Sequence, residues 1–82
     1  MEIIIHRINT IKDLKILNNK FGIEIDVRSK NSKLILNHEP FICGDYLEDY
    51  LEVYSHGTIV FNIKEAGIEE EVLSLVKKYK LS

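Results

Sequence analysis

The sequence lacks several features that would identify a class of protein at once. It holds a single cysteine, Cys43, among its 82 residues, so it can form neither an internal disulfide nor a zinc knuckle. We expect Cys43 to be a small buried apolar residue in a reducing cytoplasm. The formal net charge is -2 and the sequence pI about 5.9, so no basic excess favours nucleic acid or an anionic membrane as a partner.

Long apolar runs are also absent. None approaches the roughly 20 residues that a membrane helix needs, and the N-terminal segment has no long apolar core, so we expect neither a membrane span nor a secretory signal. There is no internal repeat and no low-complexity segment. The length and an apolar content of 45% predict one small globular domain over residues 1–82.

The apolar pattern predicts the element order β-α-β(β)-α-β-α. Strands are expected over residues 2–6, 23–28, 33–38 and 58–64. Thr10 is the expected N-cap of a first helix that reaches Phe21, with Gly22 as its C-cap. Residues 29–32 have turn chemistry, Pro40 and Gly44 mark a loop, and residues 45–55 are expected to form a short helix with Asp45 near its start. Strand-helix-strand repetition favours parallel strands with right-handed crossovers.

A clear amphipathic helix follows Gly67. Its apolar stripe consists of Ile68, Val72, Leu75, Val76 and Tyr79. Acidic residues begin this helix, and Lys77, Lys78 and Lys80 end it, so both charge blocks complement the helix dipole.

The segment "IEIDVR" at residues 23–28 places apolar and charged residues on opposite faces of a strand. If the odd positions of the three main strands face the helices, the other face collects polar residues near the C-terminal ends of the strands. That is where open parallel sheets and barrels bind ligands. The polar residues of this face are His6, Glu24, Asp26, Arg28, Asn62 and Lys64.

This set of residue types suits a phosphate ester. Two carboxylates two residues apart can bind a divalent cation, a lysine can stabilise an anionic oxygen, and a histidine can transfer a proton near neutral pH. Each residue also has an ordinary structural interpretation. An isolated E-x-D on a strand is most often a solvated edge, and His6 alone is more often a hydrogen-bonded structural residue. The tyrosines at 46, 50 and 54 indicate one packed side of a helix, and His56 a helix end.

Taken together, His6-Arg7, Glu24-x-Asp26 and His38-Glu39 resemble the motifs of the glycerophosphodiester phosphodiesterase family, a group of phosphatidylinositol-phospholipase-C-like TIM barrels. That family has HR after its first strand, E-x-D on its second and HD after the following hairpin, and "NIK" at 62–64 stands where it often has E-x-K. The resemblance implies an α/β fold, a partial (β/α)₈ TIM barrel. Three parallel strands, a β-hairpin extension and three helices on one side would form an open sheet.

The resemblance also implies a function, metal-dependent hydrolysis of glycerophosphodiester-type substrates. His6 and His38 would be the general acid-base pair, Arg7 and Lys64 would bind phosphate, and Mg²⁺ or Ca²⁺ would be held by Glu24, Asp26 and Asn62. A neighbouring hydroxyl of glycerol would attack phosphorus. The chain departs from the family at Asn62, which replaces a third carboxylate, at Ile8 and at Glu39. It is also far shorter than the about 250 residues of a closed barrel.

Two other interpretations stay open. The chain could be a non-catalytic truncated fragment or pseudoenzyme that self-associates through open sheet edges. We expect a homo-oligomer whether or not the chain is catalytic. It could instead be an unrelated small α+β interaction domain whose even-numbered strand face is in water. Helices on both faces of the sheet would make Glu24 and Asp26 structural residues.

Overall fold

The computed structural model describes residues 2–39 and 44–79. In chain order the elements are β1 (Ile4–Ile5), α1 (Ile11–Ile16), β2 (Gly22–Lys30), β3 (Lys33–Leu36), β4 (Asp45–Tyr46), α2 (Leu47–Glu52), β5 (Ile59–Ile63) and α3 (Glu69–Lys78). Pro40, Cys43 and Lys80 lie outside the described residues, so the loop expected at Pro40, the burial expected for Cys43 and the place expected for Lys80 stay predictions.

The central strand of the sheet is β2, which pairs along both of its edges. Its even-numbered residues direct their backbone groups to one edge, where β1 pairs in parallel at residues 22 and 23 and β3 pairs antiparallel at residues 27–30. Along the opposite edge, β5 pairs in parallel with residues 23–27. The two-residue strand β4 adds antiparallel to β3 and completes a five-stranded sheet.

The prediction of a partial (β/α)₈ TIM barrel is wrong, although β1, β2 and β5 are parallel as expected. The sheet is mixed, because β3 and β4 run antiparallel to their neighbours, and β3 occupies the same edge of β2 as β1. A barrel continues from each strand to the next parallel strand through a helix. Here the chain turns straight back after β2, because the local turn sequence favours a hairpin.

That turn consists of Asn31 and Ser32, whose φ angles are 51° and 66°. Both central residues therefore occupy the left-handed region, as in the type I′ turns that fit the twist of a two-residue hairpin. As a result, β2 extends to Lys30, two residues beyond the predicted strand, and the turn predicted over residues 29–32 shrinks to its last half.

Hydrophobic side chains on one face of β2 form the core. Ile23, Ile25 and Val27 are fully buried, as the alternation in the sequence predicts. They belong to one cluster with buried side chains from all three helices, namely Leu14, Leu47, Tyr50, Leu51 and Val72. The three helices therefore pack on the odd-numbered face, and Glu24 and Asp26 point to the opposite side of the sheet.

The first helix begins as predicted and ends early. Thr10 caps α1, since its hydroxyl oxygen accepts a hydrogen bond from the backbone N–H of Asp13 at 3.0 Å. The helix stops at Ile16 instead of reaching Phe21. After it, the side-chain oxygen of Asn18 accepts a hydrogen bond from a nearby backbone N–H, a local bond that competes with helix continuation.

The glycine predicted as the C-cap of this helix is instead the first residue of β2. A Cβ atom on Gly22 would lie 2.7 Å from the carbonyl oxygen of Thr58, so only glycine lets the strands approach this closely.

The segment predicted as one helix over residues 45–55 divides into β4 and α2. Asp45 does not serve the start of α2. Its carboxylate accepts a hydrogen bond from the backbone N–H of Ile11 at 2.6 Å and so anchors the start of α1. Tyr50 and Tyr54 pack as predicted, with ring centroids 6.4 Å apart, but Tyr46 is exposed.

The amphipathic helix after Gly67 is confirmed as α3. Ile68 and Val72 are buried, and Leu75, Val76 and Tyr79 pack against the core. Gly67 precedes the helix with a φ angle of 89°, which a residue without a side chain adopts at little cost. Of the helices within residues 2–39 and 44–79, none has the length and apolar character needed to cross a bilayer.

The carboxylate of Glu65, which follows β5, anchors the C-terminal part of β2 by hydrogen bonds. Glu65 accepts hydrogen bonds from the backbone N–H of Ser29 at 2.9 Å and from the Ser29 hydroxyl at 2.7 Å. These two bonds, the backbone bond most of all, lower the pKa of Glu65 from its usual value. A group whose pKa is lower in the folded chain stabilises the fold above its unfolded pKa, near 4.5, and loses that contribution as the pH falls through the folded value.

We therefore expect Glu65→Gln to lower the Tm at neutral pH, and the difference from the wild type to shrink as the pH falls below 4.5. Thermal unfolding followed by circular dichroism across this range measures the effect. Glu52→Gln is the matched control, because Glu52 is exposed at the end of α2 and has no hydrogen-bond partner among the described residues. A Glu65→Gln deficit that stays constant with pH would contradict the prediction.

Candidate functional site

The polar face is the even-numbered side of the sheet at the end of its parallel ladder. It comprises His6, Asn9, Glu24, Asp26, Arg28, His38, Asn62 and Lys64. Its centre is Asp26, only 1% exposed and the one buried charged residue in the part of the chain that the structure describes. A buried carboxylate is costly unless hydrogen bonds or counter-charges surround it, so its neighbours determine what this face can do.

Asn9 makes a reciprocal pair of hydrogen bonds with Asp26. Its side-chain oxygen accepts the backbone N–H of Asp26 at 2.8 Å, and its side-chain amide donates to Asp26 Oδ2 at 2.9 Å. The backbone N–H of Ile8 binds the Glu24 carbonyl one step earlier, and the N–H of Asn37 binds the Asp26 carbonyl. The Asn9 side chain thus takes the place of backbone at the point where β2 changes from a parallel to an antiparallel neighbour.

The other oxygen of Asp26 faces three residues. The Asn62 amide, directly opposite on β5, donates to Oδ1 at 3.2 Å. Lys64 Nζ lies 3.6 Å from Oδ1, and His38 Nδ1 lies 3.8 Å from it. The structure therefore brings Asn62, Lys64 and His38 together at Asp26, although they come from β5 and from the end of the hairpin.

Glu24 forms a separate pair with His6. His6 Nδ1 lies 3.2 Å from Glu24 Oε1. An ionised carboxylate can only accept, so Nδ1 carries the proton in this bond, and in the neutral imidazole Nε2 then has a free lone pair. The His6 side chain is 73% exposed, so that nitrogen is open to a ligand from solvent.

Two arginines differ in what they contact. Arg28 holds the end of the hairpin, donating from Nε to the Asn37 carbonyl at 3.2 Å and from Nη2 to the His38 carbonyl at 2.9 Å. Arg7, which the sequence predicts as a phosphate ligand, is exposed and has a φ angle of 58°. Its side chain has no hydrogen bond or ion pair within residues 2–39 and 44–79, so the structure does not join it to the other predicted residues.

The donors around Asp26 do not fit the divalent cation that the resemblance implies. Mg²⁺ and Ca²⁺ need several oxygen ligands directed at one point. Both Asp26 oxygens already accept amide hydrogens, Asn62 presents its amino group, and the ammonium of Lys64 is next to Oδ1. Among the described residues no three His, Cys, Asp or Glu side chains are grouped to hold a metal. The metal stays a prediction, and no step below uses it.

For two residues of the polar face the sequence analysis gave no role, and only Asn9 was missed altogether. Asn9 stands between a strand and an N-cap, a position typical of a linker residue. The one signal that could have identified it is its amide, which can both donate and accept a hydrogen bond. Arg28 was placed on the correct face but was given no role. Its contacts depend on the path of the hairpin, which the sequence does not specify.

Comparison with known proteins adds no relative to this description. No family model matches the chain, and neither a curated protein nor a solved structure does.

Removing the Asn9 side chain should destabilise the chain measurably. We expect Asn9→Ala to lower the free energy of unfolding by about 2 kcal/mol, because it leaves a buried backbone N–H and a carboxylate oxygen without partners. Urea denaturation measures this value. Asn19→Ala is the control, since Asn19 is exposed and has no hydrogen bond among the described residues, and it should change stability by less than about 0.5 kcal/mol. Equal effects of the two substitutions would show that the Asn9 pair is unimportant.

Proposed function

We propose that the chain cleaves a phosphodiester of the glycerophosphodiester type on the polar face, by acid-base catalysis through His6 and His38. One observation carries the proposal. Residues far apart in the sequence meet in two adjacent groups, on the face of the sheet opposite the helices of the described residues. They are His6 with Glu24, and His38 and Lys64 with Asp26. A solvated strand face has no need of two histidines beside two carboxylates.

In this proposal His6 is the general base. Its Nδ1–H is held by Glu24, so Nε2 can take the proton from a hydroxyl of glycerol next to the phosphodiester. The hydroxyl oxygen forms a bond to phosphorus as the bond from phosphorus to the leaving alcohol oxygen breaks. His38 gives a proton to that oxygen, and a cyclic phosphate remains. Water opens the cyclic phosphate with the two roles exchanged.

Lys64 supplies positive charge for the phosphate oxygens. Its side chain is 25% exposed and its ammonium lies beside Asp26, so it is both positioned and reachable. Arg7 is the second phosphate ligand in this proposal on the resemblance alone, because no contact among the described residues joins its side chain to the polar face. The ligand is a small molecule and not nucleic acid, in keeping with the net charge of -2, and the proposal places the chain in the cytoplasm.

If the proposal is correct, His6→Ala and His38→Ala should each slow cleavage of glycerophosphocholine by roughly a hundredfold, the usual loss when a positioned acid or base is removed. Release of choline measures the rate. His56→Gln is the control, because His56 lies outside the polar face. Its ring packs against Tyr54 and bonds the Leu17 carbonyl at 2.8 Å, a bond that a glutamine can replace. Cleavage that is absent in the wild type, or equal in all three variants, would remove the catalytic proposal.

A second candidate is a non-catalytic chain that self-associates. It is favoured by Asp26, whose oxygens are filled as in a structural carboxylate, and by β5. Within the described residues β5 pairs only with β2, so its other edge carries unpaired backbone groups. Val60 on β5 is 41% exposed, which adds an apolar side chain beside that edge. Such edges recruit a strand from another copy.

For this candidate we expect a dimer through β5. Light scattering coupled to size-exclusion chromatography should give twice the 9.6 kDa chain mass, falling on dilution. Val60→Lys should give the monomer, because a charge beside the strand opposes edge pairing. The control Leu73→Lys alters an exposed apolar residue on α3, away from β5, and should remain dimeric. A monomer at every wild-type concentration would exclude this assembly.

A further inference from the structure

The groups that make the polar face unsuitable for a divalent cation can themselves bind an anion. The groups that fill the surroundings of Asp26 are the amides of Asn9 and Asn62 and the ammonium of Lys64. A metal at Oδ1 would have to displace the Asn62 amide and would meet a like charge 3.6 Å away from that oxygen. The place of the metal is therefore already taken by a cation of the chain itself.

We propose that the polar face binds the phosphate group of a soluble phosphate ester without any divalent cation, with the Lys64 ammonium, held beside Asp26, in the role of the metal. The ligand class rests on the proposed function. The absence of a metal requirement rests on the contacts of Asp26 alone.

The geometry leaves Lys64 able to bind such a ligand. Its Nζ is 3.6 Å from Asp26 Oδ1, close enough for electrostatic attraction but beyond a hydrogen bond. The carboxylate is satisfied by the two amides, so the three N–H donors of the ammonium are not consumed by it. A partly exposed ammonium with free donors is a strong phosphate ligand.

Asp26 is thus a positioning residue in this inference. Its buried charge holds Lys64 at the end of β5, where the chain leaves the sheet, and it keeps the ammonium next to His38. A phosphate oxygen bound to Lys64 would then lie near a histidine that can donate a proton.

The test is a titration followed by two-dimensional NMR, with inorganic phosphate and with glycerol 3-phosphate as probes. Each is added in the presence of EDTA, then with Mg²⁺ and then with Ca²⁺. We expect the same Kd in all three conditions, within about twofold. Lys64→Gln should weaken binding about tenfold or more, because a hydrogen bond to a charged group is lost, whereas Lys64→Arg should retain it.

Lys77→Gln is the matched control, since Lys77 is an exposed lysine on α3, on the opposite side of the sheet, and should leave the Kd unchanged. The NMR spectrum of each variant reports at the same time whether it is folded. Three results would overturn the inference: phosphate binding only with Mg²⁺ or Ca²⁺, a Ca²⁺ site that Asp26→Asn abolishes, or binding only to vesicles of phosphatidylcholine with phosphatidylglycerol.

The same measurements separate this inference from the proposed function. Metal-independent phosphate binding without cleavage of glycerophosphocholine would support the inference and remove the catalytic proposal. Cleavage that requires Mg²⁺ would support the catalytic proposal and overturn the inference.

Discussion

The rest of the sheet and the polar face depend on how the backbone N–H and the carboxylate of Asp26 are hydrogen-bonded. One edge of β2 pairs first with a parallel strand and then with an antiparallel one, and the two hydrogen-bonding patterns do not join without a break. The break falls at Asp26, and the Asn9 side chain closes it by accepting the backbone N–H that neither strand can reach. Because the same amide donates to the buried carboxylate, the pairing of the sheet and the burial of its central charge depend on one residue.

The chemistry of the polar face follows from that burial. A carboxylate that is 1% exposed needs donors and nearby basic groups. Amides from the segment after β1 and from β5 donate to it, and Lys64 Nζ and His38 Nδ1 lie 3.6 Å and 3.8 Å from Oδ1. Satisfying Asp26 therefore assembles a lysine and a histidine at one point. The requirement for stability and the arrangement proposed for phosphate binding are the same set of contacts, and this explains why structural and functional interpretations of Asp26 coincide so closely.

Local features of the structure and the directions of the main strands could be predicted from the sequence, but the edge of β2 at which the hairpin pairs could not. The alternation over residues 23–28 predicted the buried and polar faces of β2, and the stripe after Gly67 predicted α3, because burial follows periodicity directly. The early end of α1 was missed because Asn18 competes locally with the helix. The hairpin was expected, but its pairing along the same edge of β2 as β1 was missed, because edge sharing leaves no mark in a hydrophobic pattern. Periodicity also placed the polar residues of β2 and β5 on the correct face. Asn9 was missed because its role depends on how strands share the edge of β2.

At Asp26 a side chain takes the place of a backbone hydrogen-bond partner, and this affects how the amide becomes exposed to solvent. In an ordinary ladder an amide hydrogen exchanges with deuterium only when two strands separate. The Asp26 amide instead binds the side-chain oxygen of Asn9, so a single rotamer change in Asn9 frees it while β1 and β2 remain paired. Deuterium uptake at this one amide therefore reports on movement of the segment that carries His6 and Asn9, independently of the stability of the sheet around it.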